Sequence, residues 1–130
     1  KNSAKNKSIF FPGEFKNSEV NNLLKEMDVL IVPSVWYENS PLTIHEAFLS
    51  GIPVITSDTG GMAELVKDGY SGFHFKFSDS DSLKKIIEKI LQRPEILVEL
   101  NGNLRNVSVK DLSEDTSGII ELITKIKKGR

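Results

Sequence analysis

Apolar residues along this chain fall into short runs that alternate with longer stretches of helical spacing. Four β-prone runs lie at residues 9–11, 29–32, 54–56 and 73–75. Alternation of this kind is typical of a parallel sheet whose strands are connected by helices. The pattern therefore predicts an α/β fold, a Rossmann-like parallel sheet with helices on both faces.

The stretches between the runs carry the signals with which helices begin and end. One helical face before the second run collects Val20, Leu23, Leu24 and Met27. Ser18 is the expected N-cap of this helix, because a serine side chain accepts a hydrogen bond from a first-turn N–H. Pro41 is expected at the first position of the next helix, which runs to Ser50 and stops at Gly51.

Helices dominate the second half of the chain. Gly60 and Gly61 open a short helix that reaches Val66, and residues 67–69 turn the chain towards the fourth run. Amphipathic stripes are formed by Leu83, Ile86, Ile87, Ile90 and Leu91, and again by Ile119, Ile120, Ile123 and Ile126. Pro94 begins a further helical stretch between these two, and residues 101–108 are predicted to be a connector.

Composition excludes several classes of function. With 130 residues the chain is expected to be one domain, and its net charge of −1 gives no overall attraction to nucleic acid or anionic lipid. The absence of cysteine excludes disulfides, a thiol nucleophile and thiolate metal sites. The basic end, at residues 125–130, is interpreted as a solvated helix terminus, with a membrane-surface patch as the alternative.

The chain has no apolar run long enough for a membrane span and no signal peptide at residues 1–7, so the default compartment is the cytoplasm. It also begins without Met. We therefore expect a trimmed chain or a fragment of a longer protein.

Two carboxylates follow the second run, where ligands bind in sheets of this type. Glu38 lies in the loop after the strand and Glu46 lies about one turn inside the following helix. The first N–H groups of that helix, including those of Leu42 and Thr43, suit an anion such as a diphosphate. A competing interpretation is structural, because Thr43 and Glu46 also match the spacing of a capping box.

Residues 38–48 read Glu-Asn-Ser-Pro-Leu-Thr-Ile-His-Glu-Ala-Phe, which is similar to the E-x7-E segment of group 1 retaining glycosyltransferases of GT-B architecture. The resemblance extends through residues 11–13, 28–34, 51–57, 60–66 and 68–73. It implies the carboxy-terminal, donor-binding domain of an enzyme that moves a hexose from a UDP- or GDP-sugar to a glycan or lipid-linked acceptor. The acceptor-binding amino-terminal domain would be absent from this chain.

The resemblance also assigns roles to residues. It implies that Glu38 faces the transferred sugar and that Glu46 binds the ribose. The intervening residues that would hold sugar and diphosphate are Asn39, Ser40, Pro41, Leu42 and Thr43. Family members frequently have Gly-Phe or Gly-Leu after the first Glu, so Asn39-Ser40 is a departure in the sugar-contacting part.

Other residues near the predicted site have simpler interpretations. Gly60 and Gly61 are expected mainly to give positive φ at a tight turn, with a donor-binding role second. Glu64 joins the site through the resemblance alone. His45 and His74 are poor catalytic candidates, and Trp36 and Tyr37 are as typical of packing as of a sugar cleft.

The resemblance implies that no metal is needed for diphosphate release, because an Arg and a Lys from an earlier stretch of the domain supply the charge. It allows peripheral membrane association of the parent enzyme.

The alternatives are a sugar-nucleotide epimerase of similar architecture and a non-catalytic module that binds a nucleotide or a protein. A two-component receiver is disfavoured, since no acidic cluster accompanies the first strand.

The same resemblance predicts a gap in the sheet. Two absent strands are expected between the run at residues 9–11 and the run at residues 29–32, which would leave an unpaired edge. Either these two runs pair directly, or the edge pairs with another chain.

Overall fold

The computed structural model of the protein describes residues 9–108. Three strands in this range form a parallel sheet in the spatial order β1 (Leu30–Val32), β2 (Val54–Ser57), β3 (Gly72–Phe75). Leu30 pairs with Val54, which pairs in turn with Gly72. The carboxyl ends of all three strands therefore lie at the same end of the sheet.

Five α-helices connect and cover the strands in the described part of the chain. They are α1 (Val20–Lys25), α2 (Leu42–Leu49), α3 (Gly60–Leu65), α4 (Ser80–Gln92) and α5 (Glu95–Leu104), with a 3₁₀ turn at Asn17–Glu19 before α1. Each parallel strand connection thus contains a helix, as βαβ units require.

Helices cover both faces of the sheet. Successive side chains of β2 point to opposite faces and pack in two separate clusters. Val54 packs in a cluster with residues of α1, α2 and α3, including Leu24, Ile44 and Met62. Ile55 packs in a second cluster with β3 and with α4 and α5. The predicted Rossmann-like sheet with helices on both faces is confirmed.

Burial differs between the strands. All four residues of β2 are buried, whereas the three residues of β1 are only partly buried. Within the described residues, β1 pairs with β2 alone. No strand among residues 9–108 pairs with the other edge of β1, and the expected gap in the sheet stays a prediction.

The predicted strand at residues 9–11 is wrong. The segment has no regular structure, and its side chains are 54% exposed at Ile9, 82% at Phe10 and 63% at Phe11. A strand is stable only where a neighbour pairs with its backbone and covers its side chains, and no described residues do so here. Direct pairing between this segment and β1 is likewise wrong; association with another chain stays a prediction.

Most helix ends agree with the sequence, but several details differ. Ser18 lies inside the 3₁₀ turn, where the Glu19 N–H donates to the Lys16 carbonyl at 2.8 Å, so Ser18 is not the cap. Leu91 is 75% exposed and falls outside the core. The supposed connector begins as helix, since α5 continues to Leu104.

Two predicted features lie outside the described residues: the apolar stripe that starts at Ile119 and the basic end at residues 125–130. Within the described range, none of the helices is both long enough and apolar enough to span a bilayer.

Candidate functional site

The loop after β1 lies at the carboxyl end of the sheet and contains Glu38, which is partly buried. The Ser34 hydroxyl donates a 2.7 Å hydrogen bond to Oε1 of Glu38. The Glu38 N–H donates to the Trp36 carbonyl at 3.0 Å, which closes a tight turn between these two residues. One predicted site carboxylate is therefore held in a defined position before any ligand is present.

The start of α3 packs directly against this loop. The Gly61 N–H donates to the Glu38 carbonyl at 2.9 Å. A Cβ on Gly61 would lie 1.6 Å from the carbonyl oxygen of Asn39, a distance that no side chain could occupy. Gly60 has φ +58°, and a Cβ there would lie 3.0 Å from the Glu38 carbonyl oxygen.

The expected reason for the glycine pair is thus confirmed for Gly60 and wrong for Gly61, whose φ is not positive. Gly61 is required because the backbone of Asn39 approaches α3 too closely for any Cβ. The structure therefore brings Gly60 and Gly61 together with Glu38 and Asn39.

Helix α2 begins where the loop ends. Pro41 is buried and takes the N-cap position, one residue before its predicted place, with an extended backbone at φ −65° and ψ 120°. The Ile44 N–H donates back to the Pro41 carbonyl at 3.0 Å. Helix geometry leaves the N–H groups of Leu42 and Thr43 without intrahelical acceptors, and both residues are exposed.

Glu46 lies in α2 and is partly buried. The capping-box interpretation of this residue is wrong, because a capping box requires Thr43 at the N-cap and that position belongs to Pro41. Thr43 is instead the second residue of the helix, and no side chain caps α2. Glu46 therefore has no part in starting its own helix.

A hydrogen bond that the sequence did not reveal joins the loop to α2. The Ser40 hydroxyl lies 2.8 Å from Nε2 of His45. His45 therefore restrains a residue that the resemblance assigns to donor binding. His74 has a structural position in β3. Its ring Nε2 lies 2.6 Å from the Val66 carbonyl oxygen, and its backbone N–H donates to Oδ1 of Asp68.

Glu64 lies on α3 and is exposed. It lines a cavity of about 350 Å³ together with His45 and Lys67. The residues that line this cavity do not include Glu38 or Glu46. A cavity of about 400 Å³ between α2 and α5 contains none of the predicted site residues.

Aromatic residues beside Glu38 are on the surface. Trp36 is 76% exposed and Tyr37 is 81% exposed, so neither packs in the core of the described domain. The Tyr37 ring stacks on Phe77 with 6.3 Å between the ring centroids.

The stretch of chain that forms the candidate site has acidic side chains but no Lys or Arg. Residues 28–66 contain no Lys or Arg, although they include Glu38, Glu46 and Glu64. An anionic ligand at the start of α2 would therefore find helix N–H groups but no cationic side chain from this stretch. Across the described residues, no three His, Asp or Glu side chains are grouped as metal ligands.

A sequence profile of one family, "Glycosyl transferases group 1", matches residues 1–107 of this chain. The chain is also 33% identical over 110 residues to the Escherichia coli UDP-Gal:alpha-D-GlcNAc-diphosphoundecaprenol alpha-1,3-galactosyltransferase. That match covers 85% of this chain and 27% of the relative.

Solved structures show the same fold. The Anabaena HepE structure in complex with UDP and glucose superposes with a TM-score of 0.74 and 25% identity, over 82% of this chain and 30% of that one. The same protein has been solved with UDP-glucose. Sucrose-phosphate synthase from Thermosynechococcus elongatus gives a TM-score of 0.80 over 93% of this chain, at 24% identity.

The chain spans less than a third of the length of each of these proteins. Within that span, the family match covers β1 to β3 and residues 38–46. This chain belongs to the group 1 glycosyl transferases.

Proposed function

We propose that this chain is the donor-binding domain of a retaining hexosyltransferase. In this proposal Glu38 faces the transferred sugar, Glu46 binds the ribose and the start of α2 receives the diphosphate. The acceptor is a glycan or a lipid-linked sugar, bound mainly by another domain of the complete protein, which works at the cytoplasmic side of the membrane.

The observation that carries the proposal is the arrangement at the carboxyl end of β1. The loop after the strand holds Glu38 in place, and α2 begins four residues later with the exposed residues Leu42 and Thr43, whose N–H groups have no intrahelical acceptor. Such groups attract anions, because the helix dipole places partial positive charge at that end. A carboxylate beside an anion site provides acceptors for the hydroxyl groups of a sugar attached to a diphosphate.

Because Glu46 does not belong to a capping box, its proposed role in ribose binding gains support. A partly buried carboxylate that does not cap its helix needs another reason for its position. A ribose offers two adjacent hydroxyl groups, and one carboxylate can accept hydrogen bonds from both. The HepE complexes with UDP and UDP-glucose support a nucleotide sugar as the class of donor.

Residues 28–66 contribute no Lys or Arg to a diphosphate at the start of α2. Two phosphate groups carry negative charge that α2 alone can offset only partly, since the dipole corresponds to about half an elementary charge. We propose that the remaining cations belong to other parts of the complete protein.

The complete protein tests this function directly. It should transfer labelled hexose from UDP-glucose, UDP-galactose or GDP-mannose to lipid-linked acceptors, and proton NMR of the product should show the same anomeric configuration as the donor. Inversion of that configuration would contradict the retaining mechanism. Conversion of the donor to its epimer without an acceptor would instead identify a sugar-nucleotide epimerase.

A further inference from the structure

The partly buried carboxylate of Glu38 accepts a short hydrogen bond from a residue outside the E-x7-E segment. The Ser34 hydroxyl lies 2.7 Å from Oε1 of Glu38. We propose that Ser34 is a positioning residue, which fixes the Glu38 carboxylate towards the sugar of the donor. This inference rests on the proposed function and extends it to a residue in the loop after β1.

The direction of the Ser34 hydroxyl proton follows from its other contact. The Trp36 N–H donates to the Ser34 Oγ at 3.3 Å, so the oxygen is already an acceptor there. A serine hydroxyl has one proton to donate, and a carboxylate can only accept. The proton is therefore directed at Glu38, as a charge-assisted hydrogen bond of this length requires.

Ser34 is itself held by the neighbouring strand. The Ser57 hydroxyl, at the end of β2, donates to the Ser34 carbonyl at 3.1 Å. Ser57 is fully buried and belongs to the central strand of the sheet. The sheet thus supports Ser34, and Ser34 supports Glu38.

A second contact, with α3, fixes the backbone of Glu38. The Gly61 N–H donates to the Glu38 carbonyl, and the Asn39 backbone fills the space that a Cβ on Gly61 would need. With its carbonyl and Oε1 both engaged, Glu38 has its second carboxylate oxygen, Oε2, to offer to a ligand. A residue fixed in this way loses little conformational entropy on binding, which favours affinity and correct geometry.

The test compares a nucleotide sugar with its nucleotide, because only the sugar reaches Glu38 in this proposal. The complete protein is titrated with UDP-glucose and with UDP, and with GDP-mannose and GDP, and the dissociation constants are measured by calorimetry. Ser34→Ala should weaken binding of the nucleotide sugar by roughly three- to tenfold, the effect of having to order one side chain on binding, and leave nucleotide binding unchanged. Ser34→Thr, which keeps the hydroxyl, should bind within about twofold of wild type by the same reasoning.

Controls separate positioning from folding. Ser71→Ala removes another serine hydroxyl, which accepts a 2.8 Å bond from the Lys67 N–H at the opposite edge of the sheet, and should leave both affinities unchanged. Ser34→Ala combined with Glu38→Gln should bind the nucleotide sugar no more weakly than Glu38→Gln alone, because the serine acts through the carboxylate. If Ser34→Ala does not fold, Ser34→Cys keeps the shape with a weaker donor and should show the same selective loss.

The outcomes distinguish this inference from the proposed function. Loss of sugar-dependent affinity in Glu38→Gln but not in Ser34→Ala would overturn the role of Ser34 and leave the function standing. Equal weakening of nucleotide and nucleotide-sugar binding by Ser34→Ala would show a structural role and also overturn it. If wild type binds neither nucleotide sugar, both the proposed function and this inference are wrong.

Discussion

Glu38 and Glu46 differ in how the protein holds them, and this difference predicts different effects on function. Glu38 lies in a loop and is restrained by hydrogen bonds from Ser34 and Gly61. Glu46 is part of α2, so the helix backbone determines its position. The first residue is suited to a reacting centre that needs exact placement, and the second is suited to a fixed binding contact.

Replacing Glu46 by Ala in the complete protein should mainly weaken donor binding. Loss of a carboxylate that accepts two ribose hydroxyls removes charge-assisted hydrogen bonds, so we expect affinity to fall roughly 10- to 100-fold. Calorimetry with the donor measures this effect, and a variant at the exposed Glu99 of α5 is a suitable control. An unchanged dissociation constant would remove Glu46 from the binding site.

Replacing Glu38 by Gln should lower turnover more than donor affinity. The carboxylate is expected to stabilise positive charge that develops on the sugar in the transition state, and a neutral amide does this less well. A loss of about 10²-fold in kcat, with KM for the donor changed much less, would agree with the magnitude found for groups of this kind. Steady-state kinetics provide the measurement, and full activity in Glu38→Gln would exclude the role.

The sequence named Glu38, Gly60 and Gly61 as candidate site residues, and the structure brings them together, but their side-chain hydrogen bonds were not predicted. The bonds from Ser34 to Glu38 and from Ser40 to His45 depend on how a loop without regular periodicity folds back on itself. No repeating pattern encodes that geometry, and so these partners were missed.

At the scale of elements, prediction succeeded where the ends were marked locally. Helix α2 is preceded by Pro41 and followed by Gly51, whose φ of +77° suits glycine, and the structure has the helix between them. The segment at residues 9–11 has β propensity but no partner among the described strands. Strand formation is non-local, which is why the same kind of pattern was correct for β2 and wrong there.

The contact between α3 and the Glu38 loop predicts that Gly61→Ala destabilises the protein. A Cβ would overlap the Asn39 backbone, so either the loop or the helix must move, at a cost of about 1–3 kcal/mol or more. Gly102 in α5 is the matched control, because nothing lies within 4 Å of its Cβ position. Alanine there should stabilise the helix by roughly 0.5–1 kcal/mol.

Chemical denaturation of both glycine variants measures these free energies of unfolding. The displaced loop should also reduce donor affinity in Gly61→Ala, since Glu38 lies in it. Equal stabilities for the two variants would show that the loop does not pack on α3 as described.

For the whole molecule, we propose a reaction that does not depend on a metal. The resemblance assigns charge neutralisation at the diphosphate to helix N–H groups and to cationic side chains. We therefore expect the complete protein to retain full transfer activity in excess EDTA. Loss of activity on chelation, with recovery on addition of Mn²⁺, would contradict this mechanism.

The 130-residue chain by itself should bind a nucleotide sugar weakly and transfer nothing. It spans less than a third of the length of its relatives, and it has no Lys or Arg between residues 28 and 66. Each missing charge-assisted hydrogen bond to the diphosphate would cost about 1.5–3 kcal/mol, so binding should persist only at high ligand concentration. Transfer also requires an acceptor held against the sugar, and that orientation supplies a large part of the rate. Parallel assays of residues 1–130 and of the complete protein, with the same labelled donor and acceptor, make the comparison. Robust transfer by the short chain would refute the division of donor and acceptor binding between two domains.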